Sequence, residues 1–269
     1  MIVTEQRHFG VFRYRKAYFP TVDQAFELTD HLAINDIVRF RLAPSDILDG
    51  RPGLIQRFPV STVCVDLTQG TEAILKGMNA ESRRRTRLGE KLRDRISIEK
   101  NTASVAEHFL ELYNSFARAK GRVPRVSRKR VQAYAEVSDI SVLYFDGRAM
   151  CGHVTVRDSI SKRGILMFSA TRRLEGKEEA RLSGNLNRYL HWHELQDYQA
   201  QGMKIYDFGG IGHENPYGSS FNQFKLSFGG FIYSECSYTF SGAGLLARFG
   251  VGAYERIKSS RAAVLVSHL

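Results

Sequence analysis

Two short segments near the carboxyl end of the chain combine glycine, aromatic and charged residues in a spacing that suits acyl transfer. The first, KIYDFGGI at residues 204–211, predicts a strand that stops at Gly209–Gly210, where the backbone can turn sharply or approach a ligand closely. The second, FNQFKLSFGG at residues 221–230, predicts a short helix with Lys225 among three phenylalanines at positions 221, 224 and 228. A lysine fixed against apolar surface can stabilise the negative charge that develops on a carbonyl oxygen. The alternative is a helix packed on its phenylalanine face, with Lys225 reaching out to water.

In wording and in spacing, YDFGGI followed by FNQFKLSFGG resembles the signature of the Fem-type aminoacyl-tRNA-dependent transferases. Those enzymes add amino acids to peptidoglycan precursors and, in related branches, to small natural products. The resemblance runs from about Phe12 to about Tyr238 and is strongest after Glu194. It implies that Phe224 and Lys225 lie at the reaction centre, with Lys225 contacting the aminoacyl or terminal-adenosine end of the tRNA.

Residues around this motif are further site candidates. Asp207 ends the predicted strand, and it is either a catalytic base or a residue that only fixes the glycine turn. Tyr206, Gly209 and Gly210 are substrate-binding candidates of the same segment. His213 and Glu214, in the loop that follows, are further candidates for the base.

A second candidate pair lies on a short basic helix. Arg130 and Tyr134 are four residues apart and therefore share one side of it. The pair resembles the nucleotide-sugar precursor site of the peptidoglycan enzymes, and an exposed basic face is the alternative. The first half of the amino-terminal lobe of Fem-like enzymes has no counterpart in the chain, which favours a small amine acceptor over a complete peptidoglycan precursor.

The positive charge of the chain is concentrated in residues 76–95, which carry eight basic and three acidic side chains in a helical pattern. Arg83, Arg84, Arg85 and Arg87 surround this helix and could contact a curved phosphate backbone. The alternative is a solvated face. Fem-like proteins have a similar arginine-rich stretch after a strand that resembles residues 65–67, and this favours tRNA contact.

Composition limits the classes of protein that fit. The formal net charge of +11 suits a polyanionic partner. No run is long enough to span a membrane and no signal peptide is evident, so we expect a cytoplasmic protein. Cys64, Cys151 and Cys236 are far apart, which predicts free thiols, and no Cys/His cluster has metal-ligand spacing. The pair His191 and His193 is discounted as a metal site because its rings lie on different helix faces.

The order of predicted elements indicates an α/β (α+β) protein of the Gcn5-related N-acetyltransferase type, with a mixed sheet flanked by helices. A partial lobe of the same type, with the basic helix, is expected at residues 1–94, a complete catalytic domain at 95–240, and a basic amphipathic tail at 241–269. In the first lobe we predict a strand at 9–18, a helix at 21–33, a strand at 37–42, a loop at 46–59 and a strand at 61–67. In the catalytic domain we predict strands at 95–99, 141–145, 149–157, 164–170, 204–208 and 231–240, and helices at 104–120, 128–136 and 180–200.

The last expectation concerns the acyl donor. In acyl-CoA-dependent relatives the turn before the long helix is Arg/Gln-x-x-Gly-x-Gly/Ala, which cradles pyrophosphate. Here Arg173 and Gly176 fit the first half, but Glu178 stands where a small residue belongs, and acidic residues there are explained equally well by the helix dipole. The sequence therefore predicts an aminoacyltransferase with aminoacyl-tRNA as co-substrate, no other cofactor, and an amine acceptor. An N-acyltransferase using acyl-CoA or acyl carrier protein, and an RNA-binding module without turnover, are the alternatives.

Overall fold

The computed structural model describes residues 2–8, 12–18, 20–43, 46–121, 125–132, 137–172, 176–211 and 219–242. The chain forms two compact units, one made of residues 1–60 and 234–269 and the other of residues 61–233. The divisions fall inside two strands, at Val60/Ser61 and at Tyr233/Ser234. This division differs from the predicted lobes at 1–94 and 95–240, which were drawn on fold resemblance and stay a prediction.

The first unit is a small sheet covered by one helix. Its elements are β1 (Ile2–His8), β2 (Phe12–Tyr18), α1 (Val22–Asp30), β3 (Asp36–Ala43), the first part of β4 (Leu54–Asp66) and the last part of β10 (Phe231–Ser241). The pair β1–β2 is antiparallel, β2–β3 parallel and β3–β10 antiparallel. Thr21 and Gln24 form a capping box that starts α1, and Phe40, Tyr238 and Phe240 are the large side chains of its core.

The second unit contains the predicted site segments. Its helices are α2 (Thr71–Gly77), α3 (Ala80–Lys91), α4 (Ala103–Lys120), α5 (Arg128–Gln132), α6 (Lys177–Ala200) and α7 (Ser220–Leu226), with a 3₁₀ turn at Arg93–Arg95. Its remaining strands are β5 (Ile96–Lys100), β6 (Ser138–Phe145), β7 (Arg148–Asp158), β8 (Arg163–Thr171) and β9 (Ile205–Ile211). The sheet order is β4-β9-β8-β7-β6-β5, in which only β8–β9 is parallel.

Helices α4 and α6 cover opposite faces of this sheet. A Cβ added at Gly152 of β7 would lie 3.1 Å from the Phe109 ring of α4, whereas His153, the next residue, contacts Glu194 of α6. Successive residues of a strand point to opposite faces, so the two helices lie on opposite sides. Helix α3 packs on α6, where Gly89 leaves room for the ring of Tyr189.

The predicted elements from β5 onward are found with shifts of a few residues at their ends, and Asp146–Gly147 forms the β6–β7 hairpin with positive φ at both positions. Residues 2–8 form a strand that was not predicted. Three expectations are wrong. Residues 54–59 belong to β4 and not to a loop, and the strand expected to stop before Gly209–Gly210 continues to Ile211. The basic helix is two helices, because the chain is extended at Met78 (ψ 150°) and Asn79 caps α3 by accepting from the Ser82 N–H.

The three cysteines are buried and none of them is in a disulfide, as predicted. Among the described helices, none combines the length and the apolar character needed to cross a bilayer. The expected carboxyl-terminal tail helix lies outside the described residues, apart from its first two positions.

Candidate active site

A gap opens between the two parallel strands of the second unit. β8 and β9 pair only from Arg163↔Ile205 to Ile165↔Asp207, although both strands continue for several residues. Beyond that point β8 stays paired with β7, while β9 stays paired with β4. The strands therefore diverge, and the carboxyl-terminal half of β9, which carries the glycine pair, borders the gap.

A β-bulge shapes β9 at this border. Thr62 pairs with Gly210 and Cys64 pairs with Asp207, so Phe208 and Gly209 together lie opposite one residue of β4. Gly209 has φ +79°, and a Cβ there would lie 3.2 Å from the Leu166 carbonyl oxygen. Glycine meets both demands at this position, the left-handed backbone and the close approach.

Lys225 lies on this bulge. Its Nζ donates to the carbonyl oxygens of Gly209 (3.1 Å) and Gly210 (2.7 Å), and the residue is 4% exposed. Burial lowers the pKa of Lys225 to about 8, while the carboxylate of Asp207 acts in the opposite direction. The alternative in which Lys225 extends to water is therefore wrong, and the ammonium is held in place by the bulge.

The phenylalanines at positions 221, 224 and 228 do not form the one packed face that the alternative required. Phe228 is fully buried and Phe224 packs against the same core, but Phe221 is 63% exposed. The Phe221 ring lies 4.3 Å from Lys225 Nζ, and the guanidinium of Arg188 lies 4.6 Å from the centre of the Phe224 ring. The exposed ring of Phe221 and the partly buried ring of Phe224 therefore each carry a cation on one face, Lys225 on the first and Arg188 on the second.

Asp207 is fully buried and fixes the turn. Its Oδ1 accepts the Gly209 N–H (2.7 Å), and its Oδ2 accepts from the Arg163 guanidinium (2.6 Å). Burial raises the pKa of Asp207, and Arg163 opposes that rise. With both oxygens bonded inside the protein, Asp207 has the contacts of a residue that positions the glycine pair, and its role as a base stays a prediction.

Tyr206 belongs to a buried polar network beneath the bulge, which the sequence did not indicate. Its hydroxyl donates to Glu194 Oε2 (2.7 Å) and lies 3.1 Å from His191 Nδ1. His153 Nδ1 lies 2.9 Å from the same carboxylate oxygen, and its Nε2 lies 3.1 Å from Asn187 Oδ1. These contacts join β9, α6 and β7, so the network anchors the strand that carries the glycine pair.

Two histidines of this network and Glu194 could each offer a ligand atom to one metal ion. The three atoms, from His153, His191 and Glu194, lie within 4.8 Å of one another, and such a set is typical of zinc sites. Both nitrogens of His153 and Nδ1 of His191 have hydrogen-bonding neighbours, whereas His191 Nε2 is buried without a hydrogen-bond partner among the described residues. Burial lowers the pKa of His191 well below its usual value, which makes its imidazole neutral at pH 7. His193 lies apart from this group, on a partly exposed face, as expected.

The arginine helix is attached to the lysine helix. The Ser82 and Ser227 hydroxyls are 2.7 Å apart, and the Asn79 N–H donates to the Ser227 carbonyl. Arg188 connects the two helices, since its Nε donates to Ser82 Oγ (3.2 Å) while its guanidinium covers Phe224. The start of α3 therefore lies directly beside the end of the Lys225 helix.

The four arginines predicted to contact tRNA differ in their exposure and in their partners within the protein. The Arg83 guanidinium donates to the carbonyls of Lys76 and Met78, at the end of α2. Arg84 and Arg85 both pair with Glu81, and they lower the pKa of that carboxyl to about 2. Arg87 is exposed and has no ion-pair partner among the described residues. A cavity of about 510 Å³ on α3 is lined by Ala80, Arg83, Arg84, Arg87, Leu88 and Lys91.

Other candidates fall partly or wholly outside the described residues. Arg130 lies in α5, but its side chain is not described, and Tyr134, Arg173, His213 and Glu214 lie outside the described ranges. The turn of the acyl-CoA motif can be followed only at its end. There Gly176 precedes α6, Glu178 is exposed and Glu179 pairs with Arg148.

Comparison with solved structures identifies the fold. FemX superposes with a TM-score of 0.64 at 10% identity, over 88% of this chain and 83% of FemX. The chain therefore has the Fem-like fold. L-PGS from Bacillus licheniformis gives a TM-score of 0.54 at 11% identity, over 93% of this chain and 84% of that chain. The C-terminal domain of a protein described as a lysylphosphatidylglycerol synthetase from Agrobacterium fabrum gives 0.57 at 13% identity, over 93% and 83%.

No protein-family model and no curated protein sequence matches the chain. The prediction of a Fem-like variant of the Gcn5-related acetyltransferase fold, made from YDFGGI and FNQFKLSFGG, is confirmed.

Proposed function

We propose that the protein is an acyltransferase that moves an amino acid from aminoacyl-tRNA to an amine and forms an amide bond. The observation that carries the proposal is the junction of α3 and α7. The basic helix α3 carries an arginine-lined cavity, and its first residues contact Ser227, which directly follows the Lys225 helix. A nucleic-acid backbone bound along α3 would therefore lead its end towards the fixed ammonium at the bulge.

The chemistry asks little of the protein beyond positioning. An aminoacyl ester is already activated, so an amine that is held close to it and deprotonated attacks the carbonyl carbon. Before the ester C–O bond breaks and the ribose hydroxyl of the tRNA leaves with the proton that the amine gives up, negative charge develops on the carbonyl oxygen. Lys225 has two of its three protons committed to the carbonyls of Gly209 and Gly210, which leaves one N–H to donate to that oxygen. Phe224 would shape the pocket from the buried side.

For the acceptor we propose a separate cavity of about 580 Å³ beside α4 and α5. It is lined by charged residues of both signs, among them Glu107, Glu111, Arg118, Arg128 and Arg172. A mixed lining suits an acceptor that carries an ammonium and an anionic group. We infer a small amine-bearing metabolite or a peptidoglycan-type precursor, and a cytoplasmic site of action where aminoacyl-tRNA is available.

The test is to incubate the purified protein with pooled aminoacyl-tRNA, acetyl-CoA or an acylated carrier protein, each with a panel of primary amines, and to identify products by mass spectrometry. Transfer of an amino acid from tRNA, absent with deacylated tRNA, supports the proposal. Transfer only from a thioester makes the protein an ordinary N-acyltransferase. Salt-sensitive tRNA binding without any product leaves an RNA-binding module.

A further inference from the structure

A cavity of about 640 Å³ lies between the carboxyl-terminal half of α3, the first turns of α6 and the end of β6. Its apolar lining consists of Leu88, Leu92, Phe145 and Leu182. Phe145 and Leu182 pack against the buried cluster of the β6–β7–α6 core, and they are only half-buried, so part of each side chain faces the cavity. The volume of the cavity is typical of ligand sites, and its apolar lining suits a flat organic group.

One wall of the cavity is a pre-set cation plane. The Arg95 guanidinium lies 4.3 Å from the centre of the Phe145 ring and pairs with Asp146, to which its Nε donates at 3.0 Å. Arg95 lines the cavity and its side chain is 55% exposed, so part of the guanidinium remains accessible to a ligand while it contacts the ring. Planar guanidinium groups of this kind stack nucleobases.

A buried amide supplies a hydrogen-bonding edge. Asn185 of α6 lines the cavity and is 7% exposed. At this surface its amide can hydrogen-bond to water or to a ligand that displaces the water. The amide offers both a donor and an acceptor, which matches the paired edge groups of a base.

The rim of the cavity is mainly basic. Arg84, Arg85, Arg95 and Arg181 line it together with Glu178 and Glu179. Arg84 and Arg85 pair with Glu81, Arg95 pairs with Asp146, and Glu179 pairs with Arg148. Arg84 and Leu88 also line the second cavity on α3, in which every charged lining residue is basic. Arginines therefore line both cavities along α3, whose start contacts the segment that follows the Lys225 helix.

We infer that this cavity binds a single unpaired nucleotide of the RNA donor, with the base between Arg95 and the leucines and its edge on Asn185. The choice of RNA as the ligand of this cavity rests on the proposed function. Along α3 the cavity residues Leu88 and Leu92 lie roughly 9 to 15 Å from Ser82, which contacts the lysine helix, at about 1.5 Å per residue. That span is within reach of a short single-stranded segment next to the reactive end.

The experiment measures binding of two RNA hairpins by fluorescence anisotropy, one with a short unpaired 3′ tail and one blunt, without acceptor or aminoacyl group. We expect the wild-type protein to prefer the tailed hairpin by about tenfold, as base–side-chain stacking provides. Asn185→Ala should lose that preference. Gln196→Ala, an exposed amide on the same helix, should keep it.

Arg95→Lys provides an independent variant, because it keeps the charge but removes the stacking plane. It should lose the preference while retaining the salt dependence, with unfolding curves recorded to confirm that each variant is folded. Equal binding of the two hairpins by the wild type, or a preference that survives both substitutions, overturns the inference. Binding of millimolar AMP, GMP, CMP or UMP by a protein that shows no preference for the tailed hairpin also overturns the inference, because the cavity is then a site for free nucleotides.

A failure of the nucleotide site can be distinguished from a failure of the proposed function. The hairpin preference is read without catalysis, so it stands or falls whatever the transfer assay gives. Conversely, amino-acid transfer from tRNA with unchanged hairpin binding in the variants would leave the function intact and remove only this site.

Discussion

The buried ammonium of Lys225 predicts a pH-dependent term in the stability of the protein. Burial lowers the pKa of Lys225 from 10.5 to about 8 in the folded chain. Between these two pH values the unfolded chain binds more protons at this position than the folded chain does. Lys225 therefore destabilises the folded protein most strongly below pH 8. As the pH rises through this window the destabilisation disappears, and the free energy of unfolding increases.

The magnitude follows from the shift. A lowering of about 2.5 pH units corresponds to roughly 3 kcal/mol, of which most is recovered by pH 10. In Lys225→Met the term is absent, and other titrating groups largely cancel in the difference between the two proteins. We therefore expect the wild type to gain roughly 2 to 3 kcal/mol relative to Lys225→Met between pH 7 and pH 10.

Urea unfolding at a series of pH values, followed by circular dichroism, measures this difference. Lys120→Met, at an exposed position of α4, is the matched control and should give a difference that stays constant with pH. A constant difference for Lys225→Met as well would mean that the ammonium is solvated, and the fixed-cation argument for the site would fail.

Three further predictions concern activity, binding and packing. Above pH 8, transfer should fall about tenfold per pH unit as Lys225 loses its proton, and a pH profile of kcat/KM that keeps rising through pH 9 would contradict this. Arg87→Ala should lower the slope of log affinity for tRNA against log salt by about 1, whereas Arg118→Ala, on the opposite face of the sheet, should leave it unchanged. Gly229→Ala should lower the free energy of unfolding by about 2 kcal/mol or more, because its Cβ would lie 2.7 Å from the backbone of α2 and its φ is +78°. Gly147→Ala shares the positive φ without the close contact, so in chemical denaturation it should cost clearly less; equal costs would refute the packing argument.

Most of the second unit could be predicted because its segments carry their own signals. Helix α4 has Val105, Phe109, Leu112 and Tyr113 on one face, a Thr102 cap and a left-handed Gly121 at its end, and each of these is readable from spacing. The hairpin at Asp146–Gly147 and the caps of α1 and α7 are equally local features.

The errors occurred where pairing overrides local preference. Residues 2–8 are mostly polar and lack clear alternation, and they become a strand because β2 offers an edge along its whole length. Residues 54–59 contain Pro59 and exposed positions, which suggested a loop, yet they extend a strand whose buried half begins at Val60. Neither outcome follows from the spacing of apolar residues in the segment itself.

The candidate site was identified through its motif, but its geometry was not foreseen. The cradle for Lys225 is a bulge that arises from the register of β4 against β9, two strands about 150 positions apart in the chain. The network around Glu194 and the amide of Asn185 depend in the same way on contacts between distant elements. Lysine 225 could be named from the sequence, whereas its burial required the fold.

The most direct test of the central claim is a single-turnover transfer assay. Aminoacyl-tRNA carrying a radiolabelled amino acid is mixed with excess protein and an accepted amine, and amide formation is followed for the wild type and for Lys225→Ala. We expect the label to move to the amine with the wild type, and the rate with Lys225→Ala to be lower by at least about a hundredfold at unchanged tRNA affinity. Full activity of Lys225→Ala, or no transfer from tRNA by the wild type, would contradict the account.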